Sequence, residues 1–236
     1  MTPVRNLGAA LVLTLLTFLA IPVVLVSAVP GWGGLFLAYG TWMMRVGRAI
    51  LGIEVAVEGR DRLDRTRPCV FMSNHLSFLD GPLLVTVADR PLRFIAKRFV
   101  FRIPVLGLGM RSAGYVFVDK TGAGSGRTRI TEAVRMIGDK GYSFLIFPEG
   151  ERSRDGRTHA FRRGGFFLAL EAGAPIVPVS IKGTYELMPP HARRIRRGRV
   201  RIVFHEPVDA SGYAVETMPE LIERVRAAIE SGLLSG

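Results

Sequence analysis

Cysteine is almost missing from this chain. Cys69 is the only one in 236 residues, so no intrachain disulfide can form, and the composition fits a reducing compartment. It stands in the apolar run Cys69-Val70-Phe71-Met72, with no activating charge beside it, and reads as a buried strand residue rather than a nucleophile. Histidine is scarce too, with four copies. His75 has no cluster of further ligands near it in sequence, which argues against a zinc site. No internal repeat and no long low-complexity tract interrupts the chain. Its length suits one α/β domain with a short appendage, and two full domains would be cramped.

Acidic residues are in deficit. Lys and Arg number 32 against 20 Asp and Glu, a formal charge of +12. That balance points to an anionic partner: nucleic acid, an anionic membrane or a phosphorylated substrate. No nucleic-acid recognition motif appears, which argues against the first.

Charge of either sign is absent from Leu7 to Val29. That stretch is long enough to span a hydrocarbon core of about 30 Å as a helix. Arg5 precedes it and Trp32 follows at an interfacial position. A secretory signal is the competing reading, since Val26-Ser27-Ala28 resembles a cleavage site, but the apolar run exceeds the usual ~7–15 residues of a signal core. A second apolar stretch, Leu35 to Met44, is short for another span. It suggests an interfacial helix or a shallow hairpin with the first. Residues 1–50 are therefore expected to be a membrane anchor, spanning or re-entrant, and 51–236 the globular domain.

From Ile53 the pattern turns globular. Ile53, Val55 and Val57 alternate with Glu54, Ala56 and Glu58, as in a half-exposed strand. Further strands are expected at Val70–Ser73, Leu92–Ala96, Tyr115–Val118, Ser143–Phe147 and Ile176–Ile181, with an edge strand at Val200–Phe204. Helices are expected at Leu83–Val87, Pro104–Met110, Thr128–Asp139, Gly164–Ala172 and Thr217–Glu230, and a Gly- and Ser-rich loop at Thr121–Gly126. Alternating strands and helices predict an α/β fold with a mixed, largely parallel sheet flanked by helices.

Two segments after strands carry candidate chemistry. Asn74-His75-Leu76-Ser77-Phe78-Leu79-Asp80 holds a histidine able to take a proton from a hydroxyl. Asp80 can orient its ring if the intervening residues curl back as a loop. The alternative is that Asp80 only caps a helix. Ser77 offers a nucleophile beside His75, though no nucleophile-elbow glycines surround it. Phe147-Pro148-Glu149-Gly150-Glu151-Arg152-Ser153 places Glu149 and the phosphate-fitting Arg152 on a tight turn. It reads equally well as a charged surface turn. Gly114-Tyr115-Val116-Phe117-Val118-Asp119-Lys120 ends a strand in a charged pair, and Ala174-Pro175-Ile176-Val177-Pro178-Val179 reads as a packing strand.

Together, in this order and spacing, these four blocks resemble the lysophosphatidate acyltransferase family, with the similarity covering Val55 to Pro189. The first is similar to its Asn-His-four-residues-Asp block and the second to its Phe-Pro-Glu-Gly-Thr-Arg-Ser block. The third is similar to its Gly-x-x-Phe-Ile-Asp-Arg block and the fourth to its apolar proline block. The resemblance implies direct acyl transfer from acyl-CoA or an acyl carrier protein to the sn-2 hydroxyl of lysophosphatidate. It implies no resident cofactor and no covalent enzyme intermediate. By the same resemblance His75 is the general base and Asp80 its support. Asn74, Glu149, Gly150, Arg152, Lys120 and Lys97 line the acceptor site, with the basic residues on its phosphate. Phe161-Arg162-Arg163-Gly164 resembles a further family segment. It also implies a place on the inner membrane, with the domain facing the cytoplasm. The basic run Arg193, Arg194, Arg196, Arg197 and Arg199 reads from its charge as a further contact with anionic lipid, or else as a solvated loop. Lys120 and Glu151 depart from the family's Arg and Thr, which leaves another lysophospholipid or amphiphile open as acceptor. A hydrolase using Ser77 is the rival of another class.

Overall fold

The computed structural model describes residues 3–118, 123–192 and 194–234, and for residues 3–7, 9, 10, 13, 97, 118 and 123–125 the backbone alone. Among the described residues seven strands form one sheet: β1 (Ile53–Glu58), β2 (Val70–Ser73), β3 (Leu92–Lys97), β4 (Val116–Val118), β5 (Ser143–Ile146), β6 (Ile176–Lys182) and β7 (Gly198–Phe204). Their spatial order is β1-β7-β6-β2-β5-β3-β4. The five strands from β6 to β4 run parallel. β7 lies antiparallel to β6, and β1 lies parallel to β7, which makes the sheet mixed. The expected edge strand β7 is in fact internal. β1 covers it, and its outward arginines find partners there: Arg199 Nε meets Glu54 at 2.8 Å and Arg201 meets Glu58 at 2.6 Å. Alternation in β7 therefore reports a solvated face, not a free edge.

The two faces of the sheet follow the two-residue strand period. Phe71, Leu145, Val179, Ile181 and Phe204 join one core, with Leu83 and Leu84 above them. Val70, Met72, Phe144, Ile146 and Ile176 join the other, with Phe166, Leu168, Val225 and Ile229. The covering helices are α3 (Asp80–Val87), α4 (Leu106–Ser112), α5 (Ala123–Lys140), α6 (Gly164–Ala172), a single turn α7 (Thr184–Leu187), and α8 (Met218–Leu234). α5 begins earlier than its apolar periodicity starts, so part of the expected Gly-rich loop is helix. Its apolar face, with Ala133 and Ile137 buried, decides the element, and glycines in the first turn do not prevent it. Short 3₁₀ turns at Arg60–Arg62 and Arg98–Arg102 carry no periodic signature in the sequence.

The amino-terminal segment is a helical hairpin of α1 (Pro3–Ser27) and α2 (Gly33–Leu51). Tyr39 in α2 donates its hydroxyl to the Leu16 carbonyl of α1 at 2.6 Å. Among the described residues no helix is long and apolar enough to cross a membrane, so the spanning form of the anchor finds no support. The hairpin is also tied to the domain. Ser27 Oγ lies 3.2 Å from Ser112 Oγ of α4, and Arg45 and Arg48 reach Thr86 of α3.

Because five strands are parallel, their carboxyl ends share one edge of the sheet. His75 follows β2, Glu149 follows β5 and Lys97 ends β3. Such an edge is where open α/β sheets place their sites.

Candidate active site

β2 ends at Ser73 and α3 starts at Asp80, so residues 74–79 form the loop that the His75–Asp80 spacing requires. Asp80 Oδ2 accepts three N–H groups: His75 Nδ1 at 2.9 Å, Leu76 N at 2.7 Å and Ser77 N at 2.8 Å. The loop thus curls around the carboxylate. Asp80 does not cap α3 in the ordinary sense, since Leu79 holds the cap position and no side chain caps it. Asp80 is fully buried, and its Oδ1 has no partner among the described residues. With Nδ1–H given to a carboxylate, the neutral ring presents Nε2 as an acceptor. The Phe147 ring stacks on the imidazole at 3.9 Å between centroids and 14° between planes. The His75 side chain remains 20% exposed, enough for a reactant to reach it.

The second block supports the first from below. Glu149 Oε1 accepts the main-chain N–H of His75 at 2.9 Å, and Oε2 accepts that of His159 at 3.0 Å. Glu149 is itself buried, and burial raises its carboxyl above the ordinary 4.5 against the pull of those two N–H groups. Ser153 N–H closes the clamp on the carbonyl of His75 at 2.8 Å. Gly150 turns the chain with φ +76°, a conformation that suits glycine, and the Arg162 guanidinium lies where a side chain would begin. Arg162 is also 3.7 Å from the carboxylate of Glu151, so the negative charge that departs from the family block faces a cation.

One pair was not anticipated. Asp155 lies 3.1 Å from His159 Nε2 and accepts the Ser153 hydroxyl at 2.8 Å, which pulls its acid pKa down to about 2. The only trace of it in the sequence is the four-residue spacing from Asp155 to His159. The pair braces the turn that presents Arg152.

The remaining expected residues divide. The Arg152 guanidinium sits 5.3 Å from the centre of the exposed Phe78 ring, which brings the first two blocks together at the mouth of the site. Asn74 is fully buried, with Nδ2 donating to the Ile181 carbonyl and Oδ1 accepting the Ile181 N–H, both at 2.8 Å. Its polar atoms face β6 instead of the mouth. Ser77 donates its hydroxyl to the Met188 carbonyl at 2.7 Å, so its proton is engaged away from the imidazole. Lys97 is placed by its backbone at the end of β3, and Lys120 with Asp119 lies outside the described residues, as does Arg193.

A sequence model of the family described as Acyltransferase matches residues 54–182, more than half of the chain, and spans the His75, Asp80, Glu149 and Arg152 segments. The chain belongs to that family. It is 36% identical over 157 residues to the chloroplastic 1-acyl-sn-glycerol-3-phosphate acyltransferase BAT2 of Brassica napus, covering 66% of this chain and 45% of that one. To the alpha 1-acyl-sn-glycerol-3-phosphate acyltransferase of Homo sapiens it is 30% identical over 177 residues, covering 75% and 62%. The chain spans about half the length of the first of these curated relatives. Among solved structures it resembles the 1-acyl-sn-glycerophosphate acyltransferase PlsC of Thermotoga maritima. The TM-score is 0.81 at 28% identity, covering 98% of this chain and 96% of that one.

Proposed function

We propose that this acyltransferase moves a fatty acyl group from a thioester to the sn-2 hydroxyl of lysophosphatidate, making phosphatidate. The observation that supports this reading is the 2.9 Å contact between His75 Nδ1 and buried Asp80, which leaves Nε2 as the ring's acceptor and so as the proposed base. The acceptor hydroxyl gives its proton to Nε2 while its oxygen bonds to the thioester carbonyl carbon. The carbon–sulfur bond then breaks, and the proton passes to the departing thiolate. General-base assistance of this kind contributes about 10²–10⁴-fold. Because the thioester is already activated, the scheme calls on no metal.

Arg152, Lys97 and Lys120 hold the acceptor phosphate in this reading, and their positioning of the hydroxyl adds to the rate. Glu149 and Asn74 act through the backbone they hold, and Gly150 shapes the turn. The donor is acyl-CoA or an acyl carrier protein. In this reading the α1–α2 hairpin rests in the inner membrane with the domain on the cytoplasmic side; the outward Leu11, Leu15, Phe18 and Leu25 of α1 support its contact with lipid.

The test uses purified His75→Ala and Arg152→Ala with acyl-CoA and lysophosphatidate in detergent micelles. The first should lose at least about a hundredfold in kcat. The second should raise the KM for lysophosphatidate and leave that for the donor. Wild-type turnover by the His75 variant would overturn the mechanism.

A further inference from the structure

β3 ends on the active-site edge of the sheet, and the chain leaves it through the 3₁₀ turn Arg98–Arg102 into α4. Four large apolar side chains on this stretch face outward: Phe99 at 62% exposure, Ile103 at 45%, Leu106 at 39% and Leu108 at 41%. Arg102 and Arg111 are exposed among them. The other face of α4 is committed. Gly109 meets the Phe36 ring of α2 so closely that a Cβ would fall 2.3 Å from it, and Ser112 meets Ser27 of α1. α4 therefore forms one unit with the hairpin, whose own outward residues include Phe18, Trp32, Leu35 and Trp42. Between the turn and α4, Leu106 N–H closes on the Pro104 carbonyl at 2.6 Å around Val105, whose φ is +60°. A β-branched residue adopts that γ-turn only when its surroundings impose it.

We propose that residues 99–108 are a second lipid-contacting element. They dock on an anionic phospholipid bilayer beside the hairpin and so set the mouth of the site at the headgroup plane. Apolar side chains interleaved with arginine match acyl chains below a layer of phosphate, and the chain's formal charge of +12 favours an anionic surface. The proposal rests on the reading that the hairpin lies in a membrane, and the experiment separates the two.

Full-length protein is mixed with vesicles of phosphatidylcholine, with or without phosphatidylglycerol, and sedimented. The variant F99E/I103E/L108E alters exposed positions only, and an unchanged thermal midpoint in detergent establishes that it folds. Its partition onto the mixed vesicles should fall by at least about tenfold, while turnover of a short-chain lysophosphatidate in detergent stays as in the wild type. R102Q/R111Q should lose only the phosphatidylglycerol-dependent part, about fivefold for each arginine. L11E/L15E/F18E tests the hairpin separately. Wild-type partition by F99E/I103E/L108E with loss by the α1 variant overturns the proposal and leaves the hairpin reading intact. Wild-type partition by both overturns both. A dimer that F99E/I103E/L108E dissolves, with vesicle binding unchanged, also overturns the proposal and assigns the patch to a second copy of the chain.

Discussion

The carboxylate of Glu149 accepts the main-chain N–H of His75 at 2.9 Å, across the parallel pairing of β5 with β2. Its second oxygen takes the N–H of His159 at 3.0 Å, so one buried acid fixes two loops. In Glu149→Gln the amide NH₂ meets one of these donors, and that bond is lost. A buried donor left unpaired costs about 1–3 kcal/mol. The variant should unfold at correspondingly lower denaturant and should also lower kcat, because the backbone under His75 is no longer held.

Glu149 also gives a pH dependence with a definite sign. Burial raises its pKa in the fold above 4.5, so folding favours the protonated acid. Its contribution is complete below 4.5 and is lost as pH rises through the elevated value. Wild-type protein should therefore lose stability relative to Glu149→Gln as pH rises above 4.5, read as thermal midpoints. Parallel curves would count against a raised pKa.

Asp80 is tested by a graded pair. Its Oδ2 collects three N–H groups, one from the His75 ring and two from the loop backbone. Asp80→Asn keeps an oxygen for the backbone but removes the charge that favours Nδ1–H and steadies an imidazolium. kcat should fall by about 10²–10⁴, close to the loss in His75→Ala, with a smaller change in stability. The double variant should be little worse than either single one, since the pair acts as a unit. Additive losses would separate the two residues.

The parallel sheet and most helices were legible because their apolar periods are local. β2 and β5 are short apolar runs buried on both faces, and the spacing of Ile130, Ala133, Val134 and Ile137 marks α5. The pairing of β1 with β7 was not legible. It depends on chain ends far apart in sequence, so β7 looked like an edge. In the site, the five-residue spacing of His75 and Asp80 allowed either a ring–carboxylate contact or a helix cap, and Arg152 either a ligand or solvent, so the resemblance of the blocks, not the spacing, singled them out. The inward duties of Glu149 and Asn74 were hidden, since a polar residue at a strand end reads the same whether it faces a ligand or a buried backbone. The Asp155–His159 pair was hidden for a related reason: nothing in its spacing separates it from an exposed turn.

Ser77 is expected to be dispensable for chemistry. Its hydroxyl is held by the Met188 carbonyl at 2.7 Å and receives Leu79 N–H at 3.2 Å. Ser77→Ala should cost about 1 kcal/mol of stability and leave turnover within a few-fold, with acylated lipid as product. Abolished turnover, with free fatty acid as the wild-type product, would instead support a hydrolase.

Asn74 should matter through the fold. Its amide satisfies both backbone groups of Ile181 on β6, at 2.8 Å each, in a fully buried place. Asn74→Ala strands a donor and an acceptor, each at about 1–3 kcal/mol. Asn74→Asp keeps the acceptor for Ile181 N–H but sets a second oxygen against the Ile181 carbonyl. At neutral pH it also buries a charge. The Asp variant should therefore be less stable than the Ala variant near pH 7 and should recover in acid, where the protonated carboxyl can donate to the carbonyl. Denaturant melts at two pH values check this ordering. If instead both variants unfold like the wild type and only the KM for the acceptor moves, Asn74 faces the ligand after all.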